Sequence, residues 1–581
     1  MSDSSGPLPI ACAESPDRGR AVREWGIAAL VSLAVALLAV SPFFFLGTAS
    51  GHDVAFHMAS WLDAASQWKQ GVIFPRWAAS ANFGFGEPRF IFYPPLSWLF
   101  GAFLGTIFPW TAVAAVFNIS VQMFAGLSAY ALLRRLVDSR LATLFGAACF
   151  AANPYSLLII YMRSDFAELL AMAFFPLLFL AILRISGDLP VEKHCTMPSI
   201  VAFAIPFCAI WLANAPAAVI ATYSAALLLL LAVLRQRSIP VLARGAGGML
   251  LGFGLSAFYL LPAIYEQRWV RISGALAGGL TPAENFLYAE TSDAEHDAFN
   301  RIASNIAVLL ILWLLLAALA AWRARDATAA GKFSRRFIAP TTTIAAAATL
   351  LMLPLTSILW RYLPELRFVQ FPWRWMSILA LGAVILTGAS MRVWLRRAWL
   401  IAIPLTIGVS AHNMVKNAWW DTEDMPTLQA AMDHGTGFEG TDEYDPVGDD
   451  HTDLPQKEPR AVWLNPPGDT EAHRDARVVV AQWGAEHRVV RVATRKPGRL
   501  ALGLLDYPAW RVTLNGTPVP VQHAKGTEQM ILAIPAGESE LRVDFTATMD
   551  RTIGGWISVA SIAFCGGILL YKRREPRTAR S

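Results

Sequence analysis

The sequence predicts a mainly α-helical, polytopic membrane protein of about twelve transmembrane helices, with one β-sandwich domain placed just ahead of the last helix. Three observations predict it. Hydrophobic residues make up 55% of the 581 and charged residues only 16%, where a soluble domain carries roughly 25% charge. Uncharged apolar runs of about 20 residues, enough for a helix to cross a bilayer core, recur along the chain. Alternation of apolar and polar residues is confined to 476–548, where a sheet is expected.

Taken in order, residues 1–24 form a tail read as cytoplasmic. The first apolar run is Ile27 to Ala49, preceded by Arg18, Arg20 and Arg23. That run exceeds the roughly 7–15 apolar residues of a cleaved signal segment, so a retained anchor is expected. Spans are expected at 25–47, 111–133, 141–160, 166–185, 198–213, 216–234, 245–265, 302–322, 337–355, 373–391, 396–412 and 553–571. Basic residues concentrate in the short cytoplasmic loops of membrane proteins, which tests this order. With the N-terminus inside, Arg134, Arg135 and Arg140, the segment 235–244, the segment 323–336 and the tail 572–581 with Lys572, Arg573 and Arg574 all fall on the cytoplasmic side. Residues 95–108 are apolar as well, but counting them as a span would invert every later loop. They are therefore expected to lie along or re-enter the surface, introduced by Tyr93-Pro94-Pro95.

The transmembrane domain is thus 25–412, including a first external loop, 48–110. An acidic external linker, 413–475, holds eleven Asp and Glu and no Lys or Arg between 421 and 453. Residues 476–548 follow as the external sandwich, with Asn515-Gly516 as a two-residue hairpin signal. None of the five cysteines lies between Asn413 and Arg551, so that region has no disulfide framework; nor does a CxxC or a Cys/His pair with zinc spacing occur anywhere.

Residues able to do chemistry gather at span mouths. Gly51-His52-Asp53 opens the first loop, and Asp53 and His57, four apart, would share one helical face. Arg163, Asp165 and Glu168 stand in the second external loop. With Asp53, the two carboxylates Asp165 and Glu168 could hold a divalent cation, Mg or Mn, through oxygen ligands. Read blandly, the same acids complement a helix dipole. Arg374 sits at a span start between Trp373 and Trp375; its planar fork of donors suits a phosphate. Arg76 and Tyr93 lie further along the first loop. Residues 435–446, with Glu439, Glu443 and Tyr444, form either a plain acidic linker or a loop folding back over the membrane site.

Together, Gly51-His52-Asp53, Phe92-Tyr93-Pro94-Pro95-Leu96, Arg163-Ser164-Asp165, Phe371-Pro372-Trp373-Arg374 and Glu439-Gly440-Thr441-Asp442-Glu443-Tyr444 resemble two groupings. One is the GT-C glycosyltransferase superfamily. The narrower one is the bacterial membrane proteins called 6-pyruvoyl-tetrahydropterin synthase-related. Asp506-Tyr507-Pro508-Ala509-Trp510 is similar to the external β-domain of YfhO-like membrane glycosyltransferases. A soluble pterin synthase needs a histidine–zinc site, which the chain lacks, and no second acid follows Asp53 as in better-known GT-C patterns.

The resemblance implies transfer of a sugar from a polyprenyl-phosphate carrier to a glycan, lipid or protein acceptor on the periplasmic face of the inner membrane, both termini being cytoplasmic. Asp53 would take the acceptor proton. Arg374, with Arg76 or Arg163 behind it, would meet the leaving phosphate. His52, His57, Tyr93, Asp165, Glu168, Glu439, Glu443 and Tyr444 would contact substrate, and an aromatic-lined cavity above the surface helix would hold the prenyl chain. Membrane lipids are expected partners and nucleic acid is not. Two rivals remain at this point: a flippase for lipid-linked glycan, and a non-catalytic scaffold whose β-domain binds glycan.

Overall fold

The computed structural model describes residues 18–189, 196–324, 331–391, 393–448, 454, 459–464, 476–524 and 526–574. The first 17 residues, the end of the acidic stretch at 449–453, the join 465–475, parts of two basic loops (190–195 and 325–330) and the tail beyond 574 lie outside the described residues.

Within them, nine helices are long and apolar enough to cross a membrane, or eleven when each of two bent pairs is taken as one span. The exact count of twelve is not reached by this measure. Ile239–Leu255 and Ala257–Trp269 meet at 76°, and Phe337–Leu351 and Pro354–Tyr362 at 92°. The second bend has a direct cause, because Pro354 has no N–H to continue the helical ladder. The remaining difference is Met197–Ala213, an apolar helix shorter than the others. Pro95–Gly105 is an 11-residue helix. At 1.5 Å per residue it is roughly half a bilayer core long, so it does not cross.

Helix Val393–Asn417 overruns its expected end at 412 and passes directly into Trp420–Asp421. Those two residues pair antiparallel with Thr48–Ala49, where the first span exits, and Ser50 donates to Asp424. One short ribbon thereby ties the first loop to the acidic segment. Helix Asp424–Asp433 continues from it.

The sandwich has two sheets. One runs in the order Ala461–Leu464, Gly498–Leu505, Gln529–Ile534, Gln522–His523; the other runs Ala476–Trp483, His487–Thr494, Gly537–Phe545, Trp510–Leu514, Thr517–Pro518. Period-2 patterning explains their faces: Val490, Val492, Leu541, Val543 and Val512 are buried while Arg491, Arg542 and Arg511 between them are exposed. Ala461–Leu464 belongs to this fold, although its sequence neighbourhood reads as linker.

Trp77, Ile91 and Phe92 of the first loop share one apolar cluster with Leu500, Leu502, Tyr507 and Trp510 of the sandwich. First loop and β-domain thus lie on the same side of the bundle with a common core. A buried clamp fixes them to the spans. Arg551 Nε and Nη2 each donate at 2.7 Å to the carboxylate of Glu266, which also accepts from the Tyr507 hydroxyl at 2.6 Å.

Candidate active site

The site forms where the exit of the first span meets a break between two others. Helix Arg140–Ala151 stops, and Asn153 caps the short helix Pro154–Leu158 by accepting from the N–H groups of Tyr155 and Ser156. A wide π turn, Ile159–Arg163, follows; Ser164 at φ 53° then reverses the chain into Phe166–Met172. Such turns often mark functional positions in helices. Gly51 lies against this reversal. A Cβ there would stand 2.5 Å from the Arg163 carbonyl carbon, so only glycine permits the approach. Gly51 N–H donates to Ser164 Oγ at 3.0 Å, and Asp53 N–H donates to the Arg163 carbonyl at 2.9 Å.

This stitching builds a chain of alternating charge. Arg163 Nη2 donates to Asp53 Oδ2 and lies 4.0 Å from Asp165 Oδ2. Arg374 Nη2 donates to that same Asp165 oxygen at 3.3 Å, and its Nε donates to Glu168 Oε2 at 3.0 Å. The Tyr155 hydroxyl donates to the other Glu168 oxygen. His57 Nε2 stands 3.7 Å from Asp165 Oδ1, and its ring packs on Tyr93, Phe56 and Phe166. The Phe371 ring lies 4.8 Å from both guanidiniums. Burial works against an ionised Asp165, but His57 beside it and the guanidiniums of Arg374 and Arg163 hold its carboxyl well below the usual carboxylate range.

Exposure separates the roles. The side chains of Arg163, Asp165, Glu168 and Arg374 are 2–8% exposed, whereas that of Asp53 is 31% exposed. Asp53 is the accessible end of an otherwise buried chain. Arg374 differs from expectation: its donors are taken by Glu168, Asp165, the Val369 carbonyl (3.0 Å) and Gln370 Oε1 (3.1 Å). It is built to hold carboxylates in place. The expected cation site of Asp53, Asp165 and Glu168 likewise differs. Asp165 and Glu168 turn to Arg374, and no three His, Cys, Asp or Glu side chains among the described residues are grouped to hold a metal ion.

A second network lies under the acidic segment. Arg89 donates to Glu87 (2.6 Å), Ser60 (3.2 Å) and Thr441 (3.1 Å), and Glu87 accepts from the Thr441 N–H at 2.8 Å. Phe438 and Ser80 bond through their backbones at 3.0 Å, and Asn82 donates to Asp445 at 2.9 Å. Residues 438–445 thus fold back onto the first loop. Burial, and then Glu87 nearby, push the Glu443 carboxyl up to about 7.

His52 sits beside Phe299 next to Asp53. Tyr93 packs on Phe56 at 4.6 Å as well as on His57. Tyr444 stacks on Phe92 at 5.9 Å within the sandwich-side core. Glu439 is exposed. Arg76 is not brought to Asp53; it lies over Phe74 at 4.5 Å, near the Glu266–Arg551 clamp, where burial brings it down to about 10. Tyr155, Glu87 and Arg89 escaped the sequence reading. The available signal for the last two was a charged pair directly ahead of the apolar Phe90-Ile91-Phe92.

A helical bundle with a stitched, polar site at the mouth of its first span defines a multi-spanning membrane protein. More narrowly, the chain belongs to the family described as 6-pyruvoyl-tetrahydropterin synthase related, a membrane protein family, which matches residues 90–418. No curated protein gives a significant sequence match. Among solved structures, the chain is similar to the Archaeoglobus fulgidus oligosaccharyltransferase in its apo form, at 16% identity and a TM-score of 0.41 over 71% of this chain and 56% of that one. It is also similar to the arabinofuranosyltransferase AftD from Mycobacteria, at 15% identity and a TM-score of 0.45 over 91% of this chain and 42% of that one. The chain spans about half the length of the solved structures it matches.

Proposed function

We propose that this protein is a GT-C-type membrane glycosyltransferase that moves a sugar from a polyprenyl-phosphate carrier to an acceptor on the periplasmic face of the inner membrane. The observation that carries the reading is Asp53, half-buried at the span mouth and fixed by Arg163 at the end of the Asp53–Arg163–Asp165–Arg374–Glu168 chain. In this mechanism the Asp53 carboxylate takes the acceptor O–H proton as the oxygen bonds to the anomeric carbon. The bond from that carbon to the phosphate oxygen breaks, its electron pair leaving with the carrier. Arg163, the guanidinium nearest Asp53, answers the growing phosphate charge in place of Arg374.

A place for the carrier lipid supports the reading. An apolar groove between the spans is lined by Phe179, Leu228, Ile344 and Ile385. It shares Ser224 and Ile344 with a second apolar hollow that reaches Trp375, next to Arg374. This groove lies among the spans, whereas the aromatic cavity is expected above the surface helix.

The site residues also bear on the rivals, because a scaffold has no use for a convergence of Asp53, Asp165 and Arg374. Asp53→Asn tests the assignment: loss of the surface glycan at normal protein level is expected, since a general base contributes about 10²–10⁴ in rate. An unchanged glycan profile would overturn it. Because the buried carboxylates are already matched to guanidiniums, transfer by purified protein should withstand chelation of divalent cations.

A further inference from the structure

A cleft separate from the charge chain opens between the first loop, helix Asp424–Asp433 and the sandwich, with about 1040 Å3 of space that includes its open mouth. Asp63, Gln70, Asp433, Arg460, Trp483 and Arg488 line it. Arg488 is the anomaly. It is 1% exposed, its Nε and Nη1 have no hydrogen-bond partner, and no carboxylate pairs with it among the described residues. Its guanidinium instead lies 5.0 Å from the Trp483 ring and 4.5 Å from the Trp510 ring. The Arg460 guanidinium, exposed at the mouth, stands 5.8 Å from the same Trp483 ring. Burial, with repulsion from Arg460, brings Arg488 down to about 9.

A buried cation without a counter-charge is costly, and a second cation beside it adds repulsion. A ligand anion in the cleft removes that cost. The rest of the lining suits sugar: Trp483 is half-buried and aromatic, while Gln70 and Asp433 are exposed polar groups, the Gln70 amide oxygen accepting from Ala485 N–H at 3.0 Å. Asp63, whose oxygens accept from Gln67 and the Ser80 N–H at 3.0 Å each, braces the floor.

We propose that this cleft binds an anionic saccharide, its carboxylate or phosphate answered by Arg460 and Arg488 and one sugar ring lying on Trp483. Asp53 caps the helix Val54–Lys69 that carries Asp63 ten positions on, roughly 15 Å away at 1.5 Å per residue. An acidic oligosaccharide held here would therefore be the acceptor, a role that rests on the glycosyltransfer reading; the binding itself does not.

The test uses the full-length protein in nanodiscs, titrated with a uronic-acid trisaccharide, the same trisaccharide as its neutral methyl ester, and inorganic phosphate. Saturable binding of the acidic trisaccharide is expected, with the ester bound about tenfold more weakly or worse. Arg460→Gln, an exposed change that spares the fold, and Arg488→Gln should each weaken the acid by a similar factor. Asp53→Asn should abolish transfer and leave this binding unchanged, which keeps the two readings apart. Equal binding of acid and ester, binding of phosphate without either saccharide, or full affinity in Arg460→Gln would overturn the proposal.

Discussion

Arg374 and Asp53 stand in one charge chain but answer differently to removal. Truncating Arg374 leaves Asp165 and Glu168 ionisable, buried and without their shared guanidinium. Breaking a buried pair of this kind costs about 3–5 kcal/mol. Arg374→Ala should therefore lower the thermal stability of the purified protein strongly, while Asp53→Asn, at the exposed end, lowers it far less yet loses transfer. Equal destabilisation by both variants would refute this division of roles. The residues of the chain were legible one by one, because ionisable groups at span mouths are conspicuous in so apolar a sequence. Their pairing was not. Nothing local says that Arg374 turns to Asp165, 209 positions earlier, and away from solvent. Tyr155 was missed because a phenol within an apolar stretch reads as core, and only the fold brings Glu168 to it.

At the scale of elements, apolar runs announce helices reliably because hydrocarbon burial needs nothing distant. They announce whole spans less well, since Pro354 breaks one run and a bend at Ser256 breaks another. The acidic segment was harder still. Its carboxylates suggest a solvated linker, and its docking depends on contacts such as Arg89 to Thr441, 352 residues apart. That docking should respond to pH. Glu443 is raised from 4.5 to about 7, so the docked state binds a proton that the free segment gives up. Its contribution to docking is complete below about pH 4.5 and is lost as pH rises through about 7. Hydrogen exchange at the Phe438 and Thr441 amides, both bonded to the first loop, should quicken across that window. Glu443→Gln should flatten the response; a wild-type profile that is already flat would contradict it. At the start of the same loop, Gly51→Ala would press a Cβ onto the Met162–Arg163 backbone, so it should part Asp53 from Arg163, cost transfer and lower thermal stability together; full activity at unchanged stability would contradict the stitching.

For the whole molecule, the question is which way the bundle faces. The first loop, the docked acidic segment and the sandwich occupy one side, joined by the Trp420–Asp421 ribbon and the Glu266–Arg551–Tyr507 clamp. Arg134, Arg135, Arg235, Arg237 and Arg244 lie at the other ends of their spans. Basic residues are retained on the cytoplasmic side of short loops, so the sandwich side should be periplasmic. Glu439 and Arg237 are both exposed and lie on opposite sides, which makes them suitable reporters. Cys149 and Cys208 are buried and Cys565 is half-buried, so the parent protein supplies the labelling background. In intact cells a membrane-impermeant maleimide should label Glu439→Cys above that background, and should label Arg237→Cys only after permeabilisation. The reverse pattern would place Asp53 on the cytoplasmic side, where an acceptor of the periplasmic face cannot reach it, and the proposed reaction would fail with the orientation.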